Sequence, residues 1–204
     1  MKKLILDKSL NLIKNKYNYD DEKLEIISYG LEGIYLTITK SIIIFFIAIL
    51  LRIFKEFIIF LLLFNIIRFV SFGVHAKGSL TCLIFSSITF ILLPILCKYL
   101  NINLYLKIII FIPLIALIGY FSPADTEKRP IISKKRRTIY KTLSILISMV
   151  YLFLSIYIKN NFISNALLFA LLLQLFMINP ISYKLFGVSY NNYKRYQENM
   201  MVNC

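Results

Sequence analysis

Apolar residues form six long runs along the chain, separated by short polar connections. The runs are Ile34–Leu51, Phe57–Phe72, Leu80–Leu96, Leu104–Phe121, Thr142–Ile158 and Phe162–Ile178. A helix that crosses a bilayer needs roughly 17–25 predominantly apolar residues. Lys40 interrupts the first run, and Arg68 lies near the end of the second. The pattern predicts an all-α polytopic membrane protein with about six transmembrane helices.

The segments outside these runs complete a single membrane domain over residues 1–204. Leu6, Leu10, Ile13 and Tyr17 recur at helical spacing with lysines between them. That pattern predicts a basic amphipathic helix on the membrane surface within an arm at 1–30; a frayed polar terminus is the alternative. The start of the chain lacks the unbroken apolar stretch and cleavage site of a signal peptide. The expected core spans 34–178, with a cytoplasmic tail at 179–204.

Composition supports a membrane protein and disfavours an ion-coupled carrier. Apolar residues make up 59% of the chain, whereas soluble domains contain about 45–50%. All 10 acidic residues lie outside the six runs. Proton- or sodium-coupled carriers usually need a carboxylate at bilayer depth, so the sequence favours another function.

Basic residues predict the orientation in the membrane. Lysines and arginines concentrate in the N-terminal arm, the tail and the loop 122–141, while the connections near Lys98 and Lys159 carry little charge. The positive-inside rule therefore places both termini and that loop in the cytoplasm. The turn between the second and third runs then faces the same reducing compartment, where a free thiol persists.

The net charge of +14 indicates an acidic partner. Anionic lipid of the inner leaflet and an acidic segment of a peptide are the two plausible ones. Nothing in the sequence resembles a nucleic-acid-binding module.

The candidate chemistry lies in that turn. His75 is the only histidine, and Cys82 follows seven residues later, at the edge of the third run. On one straight helix their Cα atoms would be about 10.5 Å apart, too far for proton transfer. Gly73 and Gly78 flank the histidine and permit a bend, which would bring the imidazole back towards the thiol. An imidazole, a helix N-terminus or a guanidinium, here Arg68, activates a nearby thiol for covalent catalysis.

Two other interpretations of this pair stay open. The histidine and cysteine could meet across a dimer interface, or they could be structural residues at helix ends. The three cysteines fit neither a disulfide framework nor a zinc site, so the sequence predicts no metal and no cofactor.

Two motifs resemble the AgrB family of membrane peptidases in Gram-positive quorum sensing. The first runs from Arg68 through Gly73-Val-His75-Ala-Lys-Gly-Ser79 to Cys82. The second is Ser122-Pro-Ala-Asp125-Thr-Glu-Lys-Arg-Pro130, of the form Pro-x-Asp followed by Lys/Arg-Pro. The likeness extends over nearly the whole chain. One departure is Ser71-Phe72-Gly73, where the family often has two adjacent glycines.

The resemblance implies a function and a partner. AgrB proteins remove the C-terminal tail from an AgrD precursor peptide and help to close the remainder into a cyclic thiolactone. The partner would then be an AgrD-like precursor peptide with an acidic C-terminal tail. A small-peptide exporter and a non-catalytic membrane scaffold remain the alternatives.

The resemblance also implies roles for residues. Cys82 would be the nucleophile and His75 its base, and Arg68 would hold the acidic tail or the geometry of the site. Gly73, Gly78 and Ser79 belong to the same motif as supporting residues. For Asp125, the expectation rests on its position rather than on the resemblance: it lies on the same predicted cytoplasmic side as His75, so it would orient His75, cap the next helix or bind Lys128.

Overall fold

The computed structural model describes residues 13, 21–74, 78–126 and 130–202, and these are overwhelmingly helical. The helices, in chain order, are α1 (Asp21–Leu50), α2 (Phe54–Ser71), α3 (Ser79–Tyr99), α4 (Leu104–Phe121), α5 (Lys134–Tyr157), α6 (Asn161–Ile178), α7 (Pro180–Leu185) and α8 (Asn192–Val202). No strand occurs in this part of the chain beyond isolated bridge residues. The all-α prediction is therefore confirmed.

Four of the described helices, α3 to α6, are long and apolar enough to cross a membrane. The first two expected spans are not among them, so the count of about six is not confirmed. The apolar part of α1 is limited to Ile38–Leu50. Helix α2 has sufficient length but carries Lys55, Glu56 and Arg68, and charged side chains are costly within a bilayer. The chain is a multi-pass membrane protein.

The chain divides into two compact units, Met1–Ile49 and Leu50–Cys204. In the first unit, the described residues from 21 onwards lie in α1. Most of the expected amphipathic arm at 1–30 lies outside the described residues. All the elements that form the candidate site belong to the second unit.

Helix α6 is the central helix of the second unit. It contacts α2, α3, α4 and α5. Of its 18-residue apolar stretch, 61% is buried, against 28% or less of the corresponding stretches of α3, α4 and α5. Its sequence is apolar on nearly every side, which is typical of a helix enclosed by others. The few polar side chains on α6 are therefore forced into the protein interior.

Helix α5 shows the opposite distribution: it buries mainly polar residues and exposes apolar ones. Its buried residues are Ser144, Ser148, Tyr151 and Ser155, whereas apolar side chains such as Leu146 and Val150 are exposed. Small serines allow neighbouring helices to approach closely, as is common in membrane helix packing. The exposed apolar face is the one that suits lipid.

Consecutive helices α2 to α6 alternate in direction, which brings three segments to one end of the unit. Backbone hydrogen bonds connect the segment after α2 with the segment after α4: the Gly73 amide donates to the Ala124 carbonyl at 2.9 Å, and the Ala124 amide donates to the Ser71 carbonyl at 3.0 Å. The Val74 amide donates to the Met177 carbonyl, at the end of α6, at 2.9 Å. The two sequence motifs are therefore adjacent in space.

Candidate active site at one end of the helical bundle

The turn between α2 and α3 departs from helical geometry just before the histidine. Helix α2 ends at Ser71 and α3 begins at Ser79, and Phe72 and Gly73 have φ angles of 57° and 119°. The expected interruption between Gly73 and Ser79 is thus present. His75 itself, with Ala76 and Lys77, lies outside the described residues.

Arg68 organises the segment that leads to His75. Its guanidinium donates to the carbonyl oxygens of Phe72, Gly73 and Val74 at 2.8, 3.2 and 2.7 Å respectively. The amide of Gln174, from the centre of α6, also donates to the Phe72 carbonyl, at 2.8 Å. Hydrogen bonds with a charged donor contribute more than neutral ones, about 1.5–3 kcal/mol each, so Arg68 is a strong local constraint.

The backbone of this segment has no free polar group. The amides of Phe72, Gly73 and Val74 donate to the carbonyls of Arg68, Ala124 and Met177, and their own carbonyls all accept from Arg68. Buried backbone donors and acceptors are normally paired in this way. These bonds constrain the backbone as far as Val74, the last described residue before His75.

Gly73 is required at its position for two separate reasons. Its φ of 119° is a conformation that L side chains rarely adopt. An added Cβ would also lie 2.5 Å from Arg68 Nη1 and 2.7 Å from the Met177 carbonyl oxygen. This glycine therefore permits the close approach of the guanidinium and of α6.

Cys82 lies in the first turn of α3. Gly78 precedes the helix with extended backbone angles, and the Cys82 amide donates to the Gly78 carbonyl at 3.0 Å. The thiol is free and half-buried, with the Ser86 hydroxyl 4.0 Å from its sulfur. Arg68 is near enough to interact electrostatically with both Cys82 and Tyr183. Ser79 begins the same helix, but its side chain is not among those described.

Asp125 is buried beneath the C-terminal segment. Its carboxylate accepts from the backbone amides of Asn192 at 3.1 Å and Tyr193 at 2.8 Å, and from that of Ile131 at 3.4 Å. Asn192 and Tyr193 begin α8, and an acidic group satisfies the free amides at a helix N-terminus. Among the described residues, Asp125 thus caps α8, a helix that the sequence did not predict. The contacts expected between Asp125 and His75 or Lys128 involve residues outside the described part.

The residues after α6 pack onto the same loop. The buried hydroxyl of Tyr183 donates to the Asp125 carbonyl oxygen at 2.8 Å. Burial raises the pKa of the Tyr183 phenol, so it remains a protonated donor at neutral pH. The segment expected to be a tail is therefore, over 179–193, part of the structure that supports the site.

Sequence reasoning missed Gln174 and Ser144. Ser144 Oγ is the meeting point of the Ser71 and Ser122 hydroxyls, at 2.8 and 2.7 Å. Both are polar residues within apolar runs, and intramembrane polar residues usually face the bundle interior. That signal identifies them as candidates, but it does not reveal which loop they bind.

The fold and this end of it define a class: a multi-pass all-α membrane protein with a half-buried thiol and a half-buried arginine at one end of its helices. Comparison with known proteins makes the class specific. The family model of AgrB, accessory gene regulator B, matches residues 6–178. The chain belongs to the AgrB family, which supports a role in the accessory gene regulator system.

Individual relatives agree with this assignment. A protein of Clostridium acetobutylicum named as AgrB-like is 30% identical over 200 residues, which is 96% of each chain. A protein of Listeria welshimeri with the same name is 27% identical over 184 residues, 90% of each chain. No solved structure matches the chain significantly.

Proposed function

We propose that this chain is a membrane cysteine endopeptidase that removes the C-terminal tail of an AgrD-like precursor peptide and promotes its cyclisation to a thiolactone. The observation that carries the proposal is the fully hydrogen-bonded segment before His75, which Arg68 holds at the same end of the bundle as the first turn of α3, where Cys82 lies. Membership of the AgrB family supports it.

In this proposal, Cys82 and His75 carry out tail removal and ring closure in two steps. The Cys82 sulfur attacks the scissile carbonyl carbon while His75 accepts the thiol proton. His75 then donates that proton to the leaving amine, the C–N bond breaks, and an acyl thioester on Cys82 remains. A cysteine within the precursor attacks this thioester, returns the proton through His75 to Cys82, and closes the ring.

The second step conserves the activated bond because one thioester replaces another. Hydrolysis would lose it, so limited access of water to the site favours cyclisation. The first step makes a thioester from an amide and is uphill. Release of the tail or export of the ring must therefore drive the overall reaction forward.

Arg68 acts in this proposal as a positioning residue. Its donors are directed to three main-chain carbonyls, which favours the second of the two roles considered above, namely maintenance of the site geometry.

The test is mass spectrometry of the precursor peptide co-produced with variants of the protein. Cys82→Ala should abolish the tail-less product, whereas Cys97→Ala should retain it. Cys97 is a matched control because it lies on the same helix, at the opposite end, and is fully buried. Equal processing by wild type and Cys82→Ala would remove Cys82 from the mechanism and favour an exporter or a scaffold.

A further inference from the structure

A cavity of about 580 Å³ lies beside the candidate active site and plays no part in the proposed chemistry. It is formed by the end of α4, the start of α5 and residues 190–193, which precede and begin α8. Lys134, Arg137 and Lys141 line it from α5, and Tyr120, Tyr190 and Tyr193 line it from the other two sides. None of its described lining residues is acidic, so its cations attract an anion.

The three cations are directed to the cavity by helical spacing. Lys134, Arg137 and Lys141 occupy positions i, i+3 and i+7 of α5, which fall on one face of a helix. The first of them also starts the helix, where the peptide dipoles add positive potential. Lys135 and Arg136, the intervening basic residues, do not line the cavity.

Arg137 is held in place but is incompletely bonded. Its guanidinium stacks on the Tyr193 ring, with Cζ 3.4 Å from the ring centroid. Its Nη1 is buried and has no hydrogen-bond partner among the described residues. A buried charged donor without an acceptor is costly, so this atom is a candidate to bind an anionic oxygen.

The tyrosines provide further donors. Burial raises the pKa of Tyr190, so its phenol stays protonated at neutral pH. Phosphate oxygens are well matched by a guanidinium together with ammonium and hydroxyl donors.

The surroundings of the cavity suit a lipid. It lies where α4 ends and α5 begins, and both helices are candidate membrane spans. Tyr120 is 76% exposed at the rim, and Leu117 and Ile139 are exposed on the two helices beside it. Tyrosines and cations at the end of exposed apolar faces are typical of the membrane interface.

We propose that this cavity is a binding site for the phosphate head group of an anionic phospholipid, with Arg137 as its central ligand and the acyl chains along the outer faces of α4 and α5. Two walls of the cavity, Ser122 and Pro123, directly precede Ala124, which pairs with Gly73. Bound lipid would thus stabilise the loop that supports the candidate active site.

Lipid binding to the purified full-length protein tests the proposal independently of peptide cleavage. Native mass spectrometry should detect retained phosphatidylglycerol and little phosphatidylcholine. Arg137→Gln should weaken phosphatidylglycerol binding about tenfold or more, because a charge-assisted, buried contact is lost. Arg136→Gln is the matched control, because the change in charge is identical and the side chain lies outside the cavity.

A second variant keeps the test valid if Arg137→Gln does not fold. Lys141→Gln should also weaken binding, and the matched change Lys135→Gln should not. Equal weakening by Arg136→Gln and Arg137→Gln would overturn the proposal in favour of general surface charge. Equal retention of the two lipids, or displacement of phosphatidylglycerol by an acidic peptide at equimolar concentration, would also overturn it.

Discussion

At the scale of single residues, the most constrained position is Gly73. It combines a φ of 119° with contacts that leave no room for a Cβ. Gly187 also has a positive φ, 62°, but an added Cβ there would meet nothing within 4 Å. Substitution of Gly187 therefore tests backbone strain alone, whereas substitution of Gly73 tests strain together with steric exclusion.

We predict that Gly73→Ala abolishes processing of the precursor, whereas Gly187→Ala retains it. The first change displaces Arg68 or α6, and the second adds only strain of about 1 kcal/mol. Cleavage measured by mass spectrometry, with protein levels in the membrane as the control, checks this. Wild-type processing by Gly73→Ala would show that the described turn is not the functional conformation.

The fork geometry of Arg68 leads to a second prediction. Arg68→Lys keeps the charge, but an ammonium cannot donate to three successive carbonyls in the same arrangement. We expect the rate of tail removal to fall about 10-fold to 100-fold, on the scale of one to two charged hydrogen bonds. Amide hydrogen exchange at Gly73 and Val74 should increase in parallel, since the segment is less constrained. Unchanged exchange with reduced cleavage would instead indicate a direct role of Arg68 in substrate binding.

At the scale of elements, Asp125 links two parts of the chain that are distant in sequence. Both of its carboxylate oxygens accept hydrogen bonds from backbone amides of α8. We predict that Asp125→Asn destabilises this cap by about 0.5–2 kcal/mol. Hydrogen exchange should accelerate at the amides of Asn192 and Tyr193 while exchange within α4 stays unchanged.

The same variant distinguishes the structural role of Asp125 from a catalytic one. If Asp125 oriented His75 directly, the pH dependence of cleavage would shift in Asp125→Asn. The capping role predicts a lower yield of folded protein and an unchanged pH profile. A shifted profile with normal exchange in α8 would contradict the role described here.

Hydropathy predicted some elements well and others poorly, for identifiable reasons. The run Leu104–Phe121 coincides with α4, and the run Phe162–Ile178 misses only the first residue of α6. Helix α5 begins at Lys134 rather than Thr142, because lysine and arginine favour helices without contributing to an apolar run. The Ser133 side chain caps that helix, a signal that the apolar pattern does not contain.

The site was predicted in its local parts only. The glycine-flanked bend and the place of Cys82 at a helix start follow from nearby residues. The contacts of Asp125 with Asn192 and of Gln174 with Phe72 join residues far apart in sequence. Neither periodicity nor motif spacing records such pairs, because they arise only when the helices pack.

At the scale of the whole molecule, the described arrangement makes a prediction about topology. The turn after α2, the loop after α4 and the segment after α6 share one end. From the distribution of basic residues, we expect that end to face the cytoplasm. We predict that Lys184→Cys is shielded from a membrane-impermeant maleimide in intact cells and that Lys159→Cys is labelled. Both substitutions should be made in a variant that lacks the three native cysteines. Labelling of Lys184→Cys without labelling of Lys159→Cys would show that the orientation is the opposite of the predicted one.

The most direct test of the central claim is the identification of the covalent intermediate. Purified protein is incubated with a precursor peptide whose internal cysteine is replaced by serine, so that the acyl group is released slowly. Intact mass and peptide mapping should then find the tail-less peptide attached to Cys82 and nothing on Cys97, with no adduct in Cys82→Ala. Removal of the tail without an adduct on Cys82, or with an adduct elsewhere, would contradict the account.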